Sequence, residues 1–467
     1  MSALTAATPP ATAMTGHTVP IQSLNAILHE GDKDILTAFI DTLDNQKKAR
    51  CIDMLEGERR TLFAKAFYTH ALKKKDYVAI ADVISLLDPQ VQADVIHDLG
   101  VRAVAKVLHH LETDDILAIL ENLKEESRTT ALEHIPTSMR AWLEVSLSYP
   151  KKSAGRLMQR EVVAVPVTWH VGDIIDYMRQ EKDLPHHFFD VQVVDPRQHP
   201  VGVIRLATLL RSNRDQPLSK IMETNITPIS IHTPQEEVAF LFRDKDLTSY
   251  PVVDEHGRLA GVVTIDDVVD VIDHEAAEDF MHLASVQQEG FHSSLRSSMG
   301  HRFKWLAIHL GSAFLSAFVI AQFADSIDKL VALAVLMPVV ASMGGIAAVQ
   351  TLTVTVRAIA MKELVSGNRW RNIVKECVMN CGNGLLLGCL AAMMAWFWYG
   401  DSDLALVTFV AIVMNIAMAG ALGTLVPLLM ERVRVDPAIA SATIVTMGTD
   451  VFGFLVFLAL GTIYVTM

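Results

Sequence analysis

IASATIVTMGTDVFGFLVFLALGTIYVTM, residues Ile439–Met467, decides the fold, because this stretch is long and apolar enough to cross a bilayer. Its one formally charged side chain is Asp450. At about 1.5 Å per helical residue, that carboxylate lies about 17 Å into a hydrocarbon layer about 30 Å thick. A charge at this depth costs about 2.5–3.5 kcal/mol on insertion scales, so it needs a polar partner, a wet cavity or a cation. Two interpretations stay open: a protonated Asp450 bonded to a neighbouring helix, and an ion site.

Four more apolar blocks precede this stretch: Trp305–Phe323, Leu330–Ala358, Cys377–Tyr399 and Leu404–Met430. Lysines and arginines precede the first block, follow the second and lie in ERVRVD before the last, whereas the connections ADSIDK and YGDSD are rich in acids. Basic connections stay in the cytoplasm. We therefore expect an all-α transmembrane domain of five helices over residues 301–467 in the cell's inner (plasma) membrane, with the N-terminal domains cytoplasmic and the C-terminus outside.

Several residues within the spans are polar or tend to break helices, and they affect how the helices pack. Helical hydrogen bonding could be interrupted at Pro338, Gly344 and Gly345 in the second span, which is tolerated only where the freed groups are buried in protein or line a water path. Asn383 and Asn415 are predicted to bond neighbouring helices.

Composition bounds the class of protein. The chain has 467 residues, a formal net charge of -13 and 51% hydrophobic residues, with the apolar excess after residue 300. The negative charge argues against a nucleic-acid partner and suits a surface that handles cations. The first twenty residues lack a signal peptide and are biased to Ala, Thr and Pro, so residues 1–30 are predicted to be a disordered tail.

Residues 31–150 are predicted to be an α-helical N-domain, because apolar residues recur there at three- and four-residue spacing. Short helical segments such as ADVISLLD, QADVIHDLG and DDILAILENL return at intervals that indicate a small solenoid of helix pairs. The segments HEGDK at His29 and HEAAE at His274 lack the second histidine of HExxH, so a zinc protease is not supported.

Residues 151–272 repeat an α/β pattern. Met158 aligns with Met222 and Gly202 with Gly261, and each half is predicted to run strand, helix, strand, turn, strand, helix, with DEHGR as a hairpin turn. This pattern resembles a tandem pair of CBS domains. The resemblance implies a regulatory module that senses nucleotides or ions rather than a catalyst.

The stretch TIDDVVDVIDHEAAEDFMHLAS, from Thr264 to Ser285, carries seven acids and no lysine or arginine. Residues 273–300 are predicted to be an acidic connecting helix. Unrelieved like charge destabilises a helix, and a divalent cation would relieve it. Oxygen ligands suit Mg²⁺ or Ca²⁺ rather than a soft metal, although a solvated surface remains the alternative.

The order of these parts resembles the MgtE family of magnesium channels/transporters over nearly the whole chain, from about residue 35 to the end. The most specific segments are LMPVVASMGG in the second span, VDPAIAS at Val435–Ser441 and TDVFGFLVF around Asp450. The resemblance implies a homodimer in the lipid bilayer with a pore on its two-fold axis. It implies that Asp450 is the pore carboxylate for hydrated Mg²⁺, with the backbone near Thr446 contributing, and that Asp436 is another metal position.

The same resemblance implies that cytosolic Mg²⁺ gates the channel by binding to acidic positions on the N-domain and the CBS domains. These positions are Asp114, Glu236, Asp246, Asp267, Asp270, Glu275, Glu278 and Asp279. Mg²⁺ is the ion implied, an adenine nucleotide at the CBS domains is a further expected ligand, and no enzyme activity is expected.

One departure from the family pattern concerns selectivity. Similar proteins carry Asn after the paired glycines of the second span, where this chain has Ile346, and Val349 also replaces a polar residue. A transporter of Co²⁺, Mn²⁺ or Zn²⁺ with the same architecture therefore stays open. A CBS sensor that is merely anchored in the membrane is a second alternative, against which Asp450 argues.

Overall fold

The structure is a computed structural model that describes residues 21–30, 32–181, 184–185, 188–284, 286, 295–364, 367–433 and 435–466. The chain divides into two compact units, Met1–Ile272 and Asp273–Met467. The expected composition of a helical N-domain, an α/β CBS pair and five long apolar helices is confirmed.

The N-domain is built entirely of helices among its described residues. They are α1 (Ile21–Glu30), α2 (Lys33–Asp41), α3 (Asn45–Met54), α4 (Gly57–Lys74), α5 (Tyr77–Ser85), α6 (Pro89–Leu99), α7 (Val101–Leu108), α8 (Thr113–Asn122), α9 (Glu125–His134) and α10 (Thr137–Ser148). Aspartates cap several of them, as Asp32 does for α2 and Asp44 for α3, by accepting backbone N–H groups. Helices two apart in the chain pack together, α2 on α4 on α6 on α8 and α3 on α5 on α7 on α9. This stacking confirms the predicted solenoid.

The predicted disordered tail is wrong over residues 21–30, which form α1. Leu24 and Leu28 are buried in the N-domain core, and Ile27 packs against it. Their three- and four-residue spacing gives α1 one apolar face, and burying that face offsets the entropy of ordering the chain. Residues 1–20 of the predicted tail lie outside the described residues.

The CBS pair follows the predicted order in both halves. After α11 (Ala154–Leu157), the first half contains β1 (Ala164–Pro166), α12 (Val171–Gln180), β2 (Asp190–Val194), β3 (Pro200–Arg205) and α13 (Leu206–Arg211). A 3-10 turn at Leu218–Lys220 leads to the second half, which contains β4 (Ile229–Ser230), α14 (Gln235–Lys245), β5 (Ser249–Val253), β6 (Leu259–Thr264) and α15 (Ile265–Leu283). In each sheet the middle strand is parallel to the first strand and antiparallel to the third.

The two halves exchange the segments that precede their first strands. Met158, which precedes the first sheet, lies in the core of the second half, and Met222 packs against the core of the first half. A side chain at Gly261 would overlap the backbone carbonyl of Gln159, and a Cβ at Gly202 would lie 2.7 Å from Met222 Sδ. Glycine is therefore required at Gly261, where the exchanged segment brings a rigid backbone against the sheet, whereas the flexible Met222 side chain could move away from a Cβ at Gly202.

The second unit contains the long apolar helices. They are α16 (Leu295–Ala321), α18 (Ala332–Ala360), α19 (Arg369–Tyr399), α20 (Ser402–Arg432) and α21 (Pro437–Thr466), with the short helix α17 (Ala324–Lys329) between the first two. Within the described residues, five helices are long and apolar enough to cross a membrane. The apolar blocks that begin at Trp305 and Cys377 start inside α16 and α19, because polar and basic turns extend these helices towards their N-termini.

The acidic connecting helix also starts earlier than predicted. It is the C-terminal part of α15, which begins at Ile265 inside the CBS pair and ends at Leu283. No glycine or proline interrupts IDDVVDVIDHEAAEDFMHL, so the helix continues without a break. Of the remaining predicted connecting segment, residues 285 and 287–294 lie outside the described residues.

Buried asparagines hold the spans together. Asn415 of α20 donates to the Val340 carbonyl of α18 at 2.9 Å, which confirms its predicted role. Gly344 and Gly453 make room for the Asn415 amide, because a Cβ at Gly453 would lie 2.6 Å from its Nδ2 and one at Gly344 would overlap it. The glycine in α18 thus admits a neighbouring side chain, and α18 runs unbroken through Pro338.

Asn380 of α19 makes a second bond between spans that the sequence did not indicate. Its Nδ2 donates to Thr351 Oγ1 of α18 at 2.9 Å, and the side chain packs against Gly420 of α20. The predicted bond of Asn383 stays a prediction, and that side chain is exposed on the single chain.

Candidate metal sites

The first site lies where two helices of the first unit begin. Both α8 and α15 carry paired aspartates in their first turns, Asp114 and Asp115 on one and Asp266 and Asp267 on the other. Acids are favoured at helix N-termini because the backbone N–H groups there carry partial positive charge. The Asp114 carboxyl group lies within hydrogen-bonding reach of the Asp267 carboxyl group. The structure therefore brings together the predicted N-domain residue and one of the predicted CBS residues.

One oxygen of Asp267 is held by donors of the CBS pair. Thr264 Oγ1 donates to Asp267 Oδ2 at 2.7 Å, and Gln159 Nε2 donates to the same oxygen at 3.0 Å. By contrast, Asp114 Oδ1 is buried and has no hydrogen-bond partner among the residues that the structure describes. A buried carboxylate oxygen without a donor is costly, and a cation at this point would satisfy it.

The carboxyl groups of this site hold their protons unusually tightly. Burial, followed by the charge of Asp267, raises the pKa of Glu112 to about 7 and that of Asp115 to about 6. Burial also raises the pKa of Asp267 to about 6, and burial with the neighbouring Asp267 and Asp115 raises the pKa of Asp114 well above its ordinary range. This cluster of four carboxyl groups therefore lacks nearby positive charge, and a divalent cation would compete with protons for the carboxylate oxygens.

The second site lies in the second unit, along the C-terminal part of α15. His274, Glu275 and Glu278 each place one possible ligand atom within 4.8 Å of the others. One turn further on, His282 Nδ1 lies 3.3 Å from Asp436 Oδ2, in the turn before α21. Burial, followed by the charge of Asp436, raises the pKa of Asp279 to about 6.

This second site is anchored by packing at the end of α15. Leu283 packs with Leu352 and Val356 of α18 and with Ala438 of α21. Asp436 caps α21 by accepting the Ala438 N–H at 2.8 Å. Four predicted residues, Glu275, Glu278, Asp279 and Asp436, are thus placed around one end of α15. His274 and His282 were not identified from the sequence. Each lies four residues from Glu278, and this helical spacing would have indicated that the three side chains share one face of α15.

The predicted pore residues lie one turn apart on α21. Thr446 and Asp450 are both half-buried, and Thr446 Oγ1 donates to the Ala442 carbonyl at 2.7 Å. A Cβ at Gly345 of α18 would lie 3.9 Å from Thr446 Cγ2, so Gly345 faces this part of α21. Asp450 is therefore not sealed in the core of a single chain.

Three predicted cytosolic positions are exposed, although the charge of one of them, Asp270, still acts on Asp115 and Asp267. Asp270 is exposed on α15. Glu236 and Asp246 are exposed at opposite ends of α14, about 15 Å apart at the helical rise per residue. Glu236 and Asp246 therefore do not share one ion within a chain, and their ligand role stays a prediction.

Family models match three parts of the chain in the predicted order. They are the MgtE intracellular N domain at residues 68–152, the CBS domain at 154–215 and 218–274, and the MgtE divalent cation transporter domain at 337–460. The magnesium transporter MgtE of Thermus thermophilus is 32% identical over 450 residues, which cover 94% of this chain and 96% of that protein. The chain belongs to the MgtE family. The predicted resemblance is confirmed.

Other MgtE proteins match over shorter lengths. The magnesium transporter MgtE of Enterococcus faecalis is 30% identical over 68% of this chain and 70% of that protein. Among solved structures, the cytosolic domain of the Mg²⁺ channel MgtE in complex with ATP covers 54% of this chain and 99% of that chain, at 30% identity and a TM-score of 0.48. Membership of the MgtE family, which is a family of transporters rather than enzymes, and the five apolar helices identify an integral membrane protein.

Proposed function

We propose that this protein is a Mg²⁺-selective channel for magnesium uptake. The observation that carries the proposal is the match to a magnesium transporter along 94% of the chain. The match to the family's transporter domain at residues 337–460 includes Asp450. The membrane potential supplies the driving force, about 2.3 kcal/mol per charge per 100 mV and about twice that for a divalent ion.

Asp450 is the proposed pore carboxylate. Mg²⁺ dehydrates reluctantly and usually keeps several waters. Two Asp450 residues, one from each chain of a homodimer, would hold the hydrated ion through its water shell, with backbone groups near Thr446 helping. Weak contact of this kind lets the ion leave as well as enter, as conduction requires.

The proposed gate uses the carboxyl groups at the starts of α8 and α15. Mg²⁺ bound between Asp114 and Asp267 holds the N-domain on the CBS pair and satisfies the buried Asp114 oxygen. When cytosolic Mg²⁺ falls, repulsion between ionised carboxylates separates the two domains. The ion thus selects between two arrangements by its different affinity for them.

The end of α15 provides a second contact for the same gate. Glu275, Glu278 and Asp279 lie on this helix, and Asp436 faces it from the turn before α21. A cation here would fix α15 against the cytosolic ends of the spans, consistent with the packing of Leu283. Release of the ion would free the helix and open the path. Asp270, Glu236 and Asp246 would add weaker, exposed sites.

Two further parts of the proposal follow from the family. The N-terminal domains lie in the cytoplasm and the C-terminus lies outside, in agreement with the basic connections. The CBS pair binds an adenine nucleotide, a proposal supported by the match of both halves to the CBS model.

A transporter of Co²⁺, Mn²⁺ or Zn²⁺ is the second candidate. Ile346 and Val349 are 55% and 41% exposed on the single chain, so apolar side chains stand where similar proteins carry polar ones. If they line the pore, the ion preference differs from that of the family. Competition uptake with each cation against Mg²⁺ separates the two candidates.

The test of the proposed function is ion flux from purified protein in liposomes, with Mg²⁺ varied independently on each side. The proposal predicts Mg²⁺ influx down the potential and its inhibition by Mg²⁺ on the cytosolic side. Absence of any flux, with correctly folded protein, would instead favour a membrane-anchored CBS sensor.

A further inference from the structure

The first span carries an ionisable side chain of its own. His309 is the one ionisable residue of the apolar block Trp305–Phe323, and its side chain is exposed on the single chain. An ionisable side chain against lipid is costly, so such residues face the interior of a helix bundle or a water-filled cavity. His309 therefore needs a polar surface, water or an ion beside it in the membrane.

His309 lies at the same depth in the bundle as Asp450. A hydrogen bond of 2.8 Å from Thr462 Oγ1 of α21 to Ser326 Oγ of α17 aligns one end of the last span with the connection that follows the first. At the helical rise per residue, Asp450 lies about 18 Å along α21 from Thr462. His309 likewise lies about 18 Å along α16 from Ala321, where that helix ends. The imidazole and the carboxylate are therefore level with each other.

The face of α16 that carries His309 is directed towards α21. The two helices pack together, and Ser312 and Ser316, which follow His309 at three- and four-residue spacing, are each only 7% exposed. Ser316 Oγ is buried and has no hydrogen-bond partner within the described ranges of the chain. A buried hydroxyl without a protein partner is satisfied by water, which indicates a hydrated seam along this face.

His309 and Asp450 interact electrostatically without being bonded to each other. A positive charge on the imidazole would act on the Asp450 carboxylate. Both residues are described, and neither an ion pair nor a hydrogen bond joins their side chains. The two groups therefore leave space between them for an ion or for part of its water shell.

We propose that His309 is a specificity-determining residue of the ion path, which lies beside Asp450 and lowers the preference for Mg²⁺ over transition-metal cations such as Co²⁺. Neutral imidazole is a good ligand for such cations, whereas Mg²⁺ takes carboxylate, carbonyl and water oxygens. The inference rests on the proposed function: Asp450 attracts any divalent cation, and His309 sets how well a cation that accepts nitrogen ligands competes with hydrated Mg²⁺.

The flux test measures competing uptake of Co²⁺ and Mg²⁺ by the purified full chain in liposomes. His309→Gln keeps a polar side chain and removes the imidazole. We expect its ratio of Co²⁺ to Mg²⁺ uptake to fall about tenfold, since loss of even an outer-shell partner of a metal lowers affinity 10–100-fold.

The matched control is His301→Gln, which changes the other histidine of α16, about 12 Å away along the helix. Its uptake ratio should equal that of the wild type. An unchanged ratio in His309→Gln, or an equal fall in His301→Gln, would overturn the role of His309.

A binding measurement separates this inference from the proposed function. The visible absorption of Co²⁺ bound to the full chain in detergent is compared between the wild type and His309→Gln. Asp450→Asn should lose the same absorption band, and the double variant should lose no more than either single variant, because both side chains contact one ion. Equal spectra of the wild type and His309→Gln, or losses that add in the double variant, would overturn the shared site. Folded protein that shows the shared band but conducts no ion would refute the proposed function and leave the shared site standing.

Discussion

Asp114 of α8 lies within hydrogen-bonding reach of Asp267 of α15, so two acids from different domains meet at the starts of their helices. Asp267 has donors in Thr264 and Gln159, whereas Asp114 Oδ1 is buried and meets no donor in the described part of the chain. Without a cation, the two carboxyl groups can stay in contact only if one of them is protonated. A bound cation would balance both negative charges and make that proton unnecessary. The contact can therefore report the concentration of the cation.

Substitution of Asp267 tests the gate. Asp267→Asn removes one charge of the cation site while keeping the shape of the side chain, so we expect a higher cytosolic Mg²⁺ concentration for half-inhibition of flux. Asp244→Asn, at an exposed acid on α14, is the control and should leave inhibition unchanged. Identical Mg²⁺ inhibition of Asp267→Asn and the wild type in liposomes would contradict the proposed gate.

The pH dependence of Mg²⁺ binding follows from the raised pKa values. The pKa of Glu112 is raised from 4.5 to about 7, and the pKa values of Asp115 and Asp267 are raised from 3.8 to about 6. The folded site therefore binds more protons than the unfolded chain between about pH 4 and pH 7, and its metal-free stability falls as pH rises through that window.

Mg²⁺ must displace those protons, so its affinity should rise as pH rises through about 6 to 7. Amide hydrogen exchange of α8, measured at several Mg²⁺ concentrations, should show half-protection at lower Mg²⁺ at pH 8 than at pH 5.5. Half-protection at the same Mg²⁺ concentration at both values would argue against a proton-linked site.

Alanine substitutions at two adjacent glycines of α18 are expected to change the free energy of unfolding by different amounts. Gly344→Ala should destabilise the span domain by about 1–3 kcal/mol, because the new methyl group overlaps the buried Asn415 amide. Gly345→Ala is the matched control, since its Cβ would meet Thr446 Cγ2 at an ordinary 3.9 Å. Thermal unfolding in detergent should separate the two variants. Equal unfolding temperatures would mean that Asn415 does not fill the space beside Gly344.

Substitution of Ile346 tests whether this side chain determines which divalent cation the protein prefers. If this side chain lines the pore, Ile346→Asn should raise Mg²⁺ uptake relative to Co²⁺ uptake in a competition assay, because a polar side chain can contact the water shell of the ion. Ile346→Leu keeps the apolar character and should leave the ratio unchanged. An unchanged ratio in both variants would place Ile346 outside the conduction path.

The sequence predicted the parts of the fold that depend on local pattern. The five spans follow from apolar blocks of bilayer length, and the CBS strands follow from an internal repeat around Gly202 and Gly261. The apolar blocks did not indicate where α16 and α19 begin, because polar helix ends carry no hydropathy signal. The ordered α1 was missed for a related reason: the tail composition before it concealed one short apolar face.

Contacts between distant segments were harder to predict. The exchange of the Met158 and Met222 segments depends on pairing across sheets, which local periodicity does not encode. Asp114 was identified only through the family resemblance, and the structure supplies its contact with Asp267. His274 and His282 could not be identified from the sequence, because neither belongs to an HExxH pair and only the acids around them indicated a metal site.

The central claim is that Asp450 lies in the path of the ion. Its most direct test is Mg²⁺ flux through purified Asp450→Asn protein in liposomes under an applied potential, beside the wild type, with elution volume and unfolding temperature confirming that the variant is folded. The account predicts that flux falls to the level of empty liposomes. Flux at the wild-type rate from a folded variant would contradict it.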